Sequence, residues 1–134
     1  MATTYTWRGG IQNDELNRLH GESFETRVYS EEEWDRVELL DAHHLGWVVA
    51  RDGGALVGFV NVSWDGLVHA WLQDTMVTTA ARGRGVGREV VRVATREAKA
   101  AGCEWLHVDF EEHLRPFYLD ACGLSPADAG LIAL

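Results

Sequence analysis

Cysteine is scarce in this chain: Cys103 and Cys122 are the only two. Two thiols cannot make a disulfide framework. One stands at the start of an expected strand and the other at the end of an expected helix, so both read as reduced packing residues. No apolar run approaches the length of a membrane span, and no charged-then-apolar leader opens the chain, so a soluble, cytoplasmic protein without a membrane partner is expected. Basic residues are outnumbered: 12 Lys and Arg against 21 Asp and Glu leave a net charge of −9 with His neutral. That balance argues against nucleic acid as a partner and is compatible with a cationic one. Repeats, linkers and low-complexity segments are also missing. What remains is an ordinary globular composition, 46% hydrophobic and 25% charged, and 134 residues are enough to bury a core without metal or disulfide support. A single domain over residues 1–134 is the expectation.

What is present is a series of strands and helices punctuated by glycine. Tyr5-Thr6-Trp7-Arg8 alternates and stops at Gly9-Gly10, which predicts a short strand. Asn13 or Asp14 can cap a helix through Leu16, Leu19 and Phe24. Ser30 and Glu33 form a capping box that opens a second helix through Trp34, Val37, Leu40 and Leu45. Its acidic residues, Glu31, Glu32, Glu33, Asp35, Glu38 and Asp41, read first as a solvated face. His43 and His44 are adjacent, and helix neighbours do not share a face, so no metal site is expected there. Trp47–Arg51, Leu56–Trp64 and Val68–Val77 are then separated by Asp52-Gly53-Gly54 and Asp65-Gly66, which predicts an antiparallel meander of three strands.

The meander runs into Arg82-Gly83-Arg84-Gly85-Val86-Gly87, and Val90, Val91, Val93, Ala94 and Ala98 follow at helical spacing. A helix N-terminus carries unpaired N–H groups and partial positive charge, and glycines let an anion approach that backbone closely. A phosphate site is the first expectation, with Arg82, Arg84 and Arg88 adding charge. The P-loop pattern fails, because Arg88-Glu89 stands where Lys and Ser/Thr are required. The dinucleotide fingerprint fails on glycine spacing, although Asp109 ends a later strand about where a ribose-binding acid would sit. Gly102 closes the helix, and Cys103–Phe110 is predicted as a parallel strand reached by a right-handed crossover. On that strand Trp105, His107 and Asp109 share one face, reading either as a wet sheet face or as a catalytic His–Asp pair.

The stretch Asp74–Gly87 resembles the coenzyme A motif of the GNAT superfamily of N-acetyltransferases, in which an Arg/Gln-x-x-Gly-x-Gly/Ala turn follows a central strand and opens a helix. Arg82, Gly85 and Gly87 hold the three defining positions. The order of strand, two helices, three antiparallel strands, loop and helix is also the family's order. The resemblance implies an α+β fold with a mostly antiparallel sheet of about six strands, about four helices, and a parallel pair splayed at the acyl-coenzyme A site. It implies acetyl-coenzyme A as acyl-donor cosubstrate, held by Val77, Arg82, Gly83, Arg84, Gly85, Val86, Gly87 and Arg88. It implies a small-molecule or peptide amine as acceptor, with the acidic helices on the acceptor side.

The family's next landmark is an Asn seven residues before a Tyr. Here Glu111 holds the Asn position and Tyr118 the Tyr position. Gly123 lies five residues after Tyr118 where the family has four, one residue too many. The implied roles are Tyr118 as acid for the leaving thiolate and Glu111 as base for the amine, with Asp74 as the other carboxylate at a strand end. Tyr118 also reads as a core residue beside Phe117. After Gly123 only Ala129–Leu134 can form a strand, where the family supplies two. Either the sheet ends early or a partner subunit covers the edge, as in a homodimer. A coenzyme A-binding module without catalysis is the alternative reading from a different class.

Overall fold

The strand and turn signals fold into one five-stranded sheet whose strands lie in chain order. The structure, a computed structural model, describes residues 2–134. Strands β1 (Thr3–Trp7), β2 (His44–Asp52), β3 (Ala55–Trp64) and β4 (His69–Val77) are antiparallel neighbours, and β5 (Trp105–His107) lies parallel to β4. Helices α1 (Asn13–Phe24) and α2 (Arg36–His43) connect β1 to β2, and α3 (Val86–Ala100) makes the crossover to β5. A final segment, α4 (Pro116–Ala121), is wound as a π-helix. The α+β class, the meander and the parallel pair are as expected, with five strands rather than about six.

Both faces of the sheet are covered at its centre, so β2 and β3 are apolar on both sides rather than alternating. Val48, Val60, Val62 and Leu72 pack against Val90, Val91 and Ala94 of α3. Val49, Phe59 and Met76 pack on the other face with Leu16 and Leu19 of α1 and Leu40 of α2. The 3.6-residue spacing turns the apolar stripe of α3 inward and leaves Arg88, Arg92, Arg96 and Lys99 exposed.

Four boundaries differ from expectation for local reasons. The N-cap of α1 is Gln12, whose N–H donates to Glu15 Oε2 at 2.9 Å. Asn13 instead ties the next loop down, donating to Glu31 and Asp35 and accepting from Val37 N–H. The Ser30–Glu33 box does form, but it closes only a single turn. Asp35 then offers a second cap, accepting from Glu38 N–H at 3.0 Å, so α2 starts at Arg36; it ends at His43, and Leu45 belongs to β2. The strand expected over Cys103–Phe110 pairs only through Trp105–His107. Ala129–Leu134 forms no strand: Leu131, Ile132 and Leu134 are exposed, and a three-residue edge offers too few ladder bonds to hold another strand.

Two contacts fix the N-terminal layers. Gly46 lies under the Trp7 ring, where a Cβ would come within 2.1 Å of Cζ2. Arg51 on β2 makes a bidentate pair with Glu15 at 2.9 and 2.6 Å, and this pairing holds the Glu15 carboxyl below its ordinary value. Gly46→Ala is expected to destabilise the fold by about 1–3 kcal/mol in urea titrations, with Trp7→Leu in the same background recovering part of the loss. Equal midpoints for wild type and Gly46→Ala would refute the contact. Glu15→Gln should cost about 1–2 kcal/mol at pH 7. A lowered folded pKa contributes above the ordinary value of 4.5 and is lost as pH falls through the folded one, so the difference should shrink below that pH. A difference constant from pH 7 to pH 3 would rule out the ion pair as its source.

Candidate active site

The glycine turn owes its shape to two left-handed residues. Gly83 and Gly85 have φ of +79° and +81°, a region other residues occupy at a cost, and Gly85 is the N-cap of α3. The first intrahelical donor of α3 is Glu89, whose N–H reaches Gly85 O at 3.0 Å. The amides of Val86, Gly87 and Arg88 therefore precede the helical ladder and are available to an anion.

A cleft of about 390 Å³ opens beside this turn. Its walls are Val77, Ala81, Arg82, Gly83, Gly85, Val86, Gly87, Arg88, Phe117 and Ala121. Seven of the eight residues expected to hold an acyl donor thus meet around one cavity. Arg84 does not: its guanidinium turns to Asp52 at 2.7 Å, and Asp52 also accepts from Thr3. Arg82 reaches back, with Nε donating to Val77 O at 3.2 Å. Arg88 has no ion-pair partner among the described residues. Phe117 was not expected here; it enters because Gly87 has no side chain, and a Cβ there would lie 3.1 Å from its ring.

The cleft adjoins the place where the sheet parts. β4 pairs with β5 only over His69–Trp71, while it continues to Val77 against β3. In that continuation β4 carries a bulge, with Asn61 opposite Gln73 and Phe59 opposite Met76. Two residues, Asp74 and Thr75, thus face a single residue of β3. Asp74 has φ of +55°, unusual for a side-chain-bearing residue, and its carboxylate is paired with Arg36 of α2 at 3.2 Å. The outward sign of the bulge in the sequence is the polar run Gln73-Asp74-Thr75 between Leu72 and Met76.

Tyr118 projects from α4 into this opening and is buried. Phe110 stacks on its ring at 5.1 Å, Phe117 meets it edge-on at 4.8 Å, and its hydroxyl donates to Thr75 Oγ1 at 3.1 Å. Burial raises its pKa first; the Thr75 hydrogen bond pulls the other way, and the nearby Cys122 and Asp109 add to the rise. The phenol therefore keeps its proton at neutral pH. The extra residue before Gly123 is absorbed by the π-turn, in which Cys122 N–H bonds to Phe117 O, five residues back.

The carboxylates stand further out. The Glu111 side chain is 83% exposed and lies 3.4 Å from His113 Nδ1. His107 meets His69 at 2.8 Å and stacks beside Trp71, instead of pairing with Asp109. A concavity of about 1030 Å³ is lined in part by Asp14, Glu31, Asp35, Glu38 and Asp41. Burial pushes both thiols, Cys103 and Cys122, above the ordinary cysteine value, which disfavours the nucleophilic thiolate. Among the described residues no cluster of three or more His, Cys, Asp or Glu could hold a metal ion, and no helix is long and apolar enough to cross a membrane.

Residues 13–124 match the sequence profile of the Acetyltransferase (GNAT) family. The chain is 44% identical over 52 residues to a probable glucosamine 6-phosphate N-acetyltransferase of Oryza sativa subsp. japonica, a match covering 39% of this chain and 31% of that protein. It therefore spans about a third of that curated relative. The glucosamine-6-phosphate N-acetyltransferase of Arabidopsis thaliana superposes with a TM-score of 0.77 over 98% of both chains, at 21% identity. The aminoglycoside N-acetyltransferase AAC(6')-Iy, solved with a bisubstrate analogue of coenzyme A, superposes with a TM-score of 0.79 over 100% of this chain and 98% of that one, at 18% identity. At these identities the two structures establish a shared fold.

The geometry of the turn makes a direct prediction. Gly85→Glu places a carboxylate and a strained backbone at the mouth of the cleft, so calorimetry should detect no coenzyme A binding. Gly85→Ala, which adds strain without charge, should weaken binding and leave it measurable. Unaltered affinity in Gly85→Glu would show that the anion lies elsewhere.

Proposed function

Because the chain belongs to the acetyltransferase (GNAT) family, we propose that it transfers an acetyl group from acetyl-coenzyme A to a primary amine, directly and within a ternary complex. The observation that supports this reading is a glycine-turn cleft walled by Val77 and Phe117, with Tyr118, the neighbour of Phe117, bonded to Thr75, two residues before Val77, where β4 runs without β5. Backbone amides from Gly83 to Arg88 would hold the diphosphate, with Arg88 as a free cation beside them. The gap between β4 and β5 would take the thiol-bearing arm. An N–H near Val77 would polarise the thioester carbonyl where negative charge develops.

An amine of ordinary pKa near 10.4 is protonated at neutral pH and must lose a proton to attack. Glu111 is the proposed base, and its exposure favours action through water rather than direct contact. Asp74 is the weaker candidate, because Arg36 already occupies its carboxylate. Tyr118 would protonate the departing thiolate. No side chain needs to be acylated. The acidic rim over α1 and α2 favours a cationic acceptor, a small molecule or a peptide amine, and the names of the relatives make amino sugars the first to test.

Glu111 in the Asn position and its outward side chain keep a second reading in view, a coenzyme A-binding module without turnover. Calorimetry with acetyl-coenzyme A and with NADH tests the shared premise; binding of NADH alone would overturn both readings. Tyr118→Phe then separates them. It is expected to lower thiol release by at least about tenfold with coenzyme A affinity retained. Turnover equal to wild type would remove Tyr118 from the mechanism.

A further inference from the structure

Thr75 has no assigned task, yet its position is specific. It sits in the β4 bulge beside the left-handed Asp74, and its Oγ1 accepts the Tyr118 hydroxyl at 3.1 Å. Its own hydroxyl hydrogen is taken by no protein acceptor among the described residues, so it can turn toward a molecule in the opening. Tyr118 faces a chemical difficulty that this partner can relieve. An ordinary tyrosine near pKa 10 is a roughly thirtyfold weaker acid than an ordinary thiol near 8.5. Burial among Phe110 and Phe117 widens that gap by disfavouring the phenolate. Left alone, Tyr118 would give up its proton uphill and be left as a buried anion.

We propose that Thr75 is the second member of a proton relay, replacing the Tyr118 proton with its own as Tyr118 protonates the leaving sulfur. The inference rests on the acetyl-transfer reading above. As the N–C bond forms and the C–S bond breaks, the surplus proton on the acceptor nitrogen passes to Thr75 Oγ1, directly or through one water. For this the two hydroxyls exchange roles along their 3.1 Å contact, Thr75 Oγ1–H turning to Tyr118 Oη and Tyr118 Oη–H turning to sulfur. The Thr75 proton then passes to Tyr118 Oη, and the Tyr118 proton passes to sulfur. One proton leaves nitrogen, one reaches sulfur, and both hydroxyls end neutral. Thr75 thus takes one proton and gives up another, and the Arg36–Asp74 pair holds the bulge that presents it.

Thr75→Val removes the hydroxyl at nearly constant volume, and Thr75→Ser restores it. Followed by thiol release with an amine panel, Thr75→Val should lower kcat about tenfold and leave KM for acetyl-coenzyme A within about twofold, while Thr75→Ser recovers most of the rate. A second readout needs no turnover. Tyrosinate absorbance, taken as the difference between each protein and its Tyr118→Phe counterpart, should show Tyr118 titrating at higher pH in Thr75→Val and near wild type in Thr75→Ser. Wild-type kcat in Thr75→Val, or an equal loss in Thr75→Ser, would overturn the relay. So would a Tyr118 titration that Thr75→Val leaves in place. If wild type acetylates no amine, the parent reading and the relay fall together, and the absorbance shift still reports whether the hydrogen bond exists.

Discussion

Between Phe59 and Asn61 of β3 lies one residue, whereas between their partners Met76 and Gln73 on β4 lie two. The rest of the molecule is arranged around that mismatch. Ala70 and Leu72 of β4 pack toward α3, and unbroken alternation would send Met76 the same way. The extra residue reverses the sense, and Met76 packs instead with Phe59 and Leu16 on the α1 side. A bulge also bends and twists its strand, and past it β4 runs without β5 beside it. The left-handed Asp74 costs on the order of 1–3 kcal/mol, offset by its pairing with Arg36. The hydrophobic layers, the opening of the sheet and the placing of Thr75 under Tyr118 thus share one local cause.

Charge is unevenly distributed over the fold. The chain carries a net −9, yet the glycine turn is suited to an anion. Of the arginines at the turn, Arg84 is committed to Asp52 and Arg82 to the Val77 carbonyl, which leaves Arg88. Fixed amide dipoles at the start of α3 add partial positive charge there that needs no side-chain ordering. Carboxylates from α1, α2 and the loop between them line the other concavity.

Much of this was legible beforehand because it is local. Turn pairs such as Gly53-Gly54 and Asp65-Gly66 mark chain reversals wherever they occur, and β2, β3 and β4 fall within a few residues of where those turns put them. The α3 stripe and its Gly102 stop depend only on helical spacing and on a residue without Cβ. Reading failed where two local signals competed. Ser30 and Asp35 are both good caps, and only the clamp of Asn13 on that loop decides that the longer helix follows the second. It failed again where a partner strand was needed, as for the ends of β5 and for Ala129–Leu134.

The sequence alone determined the run of elements from β1 to α3, the glycine turn from Arg82 to Arg88 and the family resemblance, because each is a property of neighbouring residues. The fold decided which side chains reach the cleft: Phe117 in, Arg84 out to Asp52, Glu111 into solvent, and Tyr118 onto Thr75, 43 residues away in the chain. Those outcomes depend on one-residue offsets, a bulge in β4 and a π-turn in α4. Such offsets are stabilised by contacts with distant segments, and no pattern of adjacent residues records them.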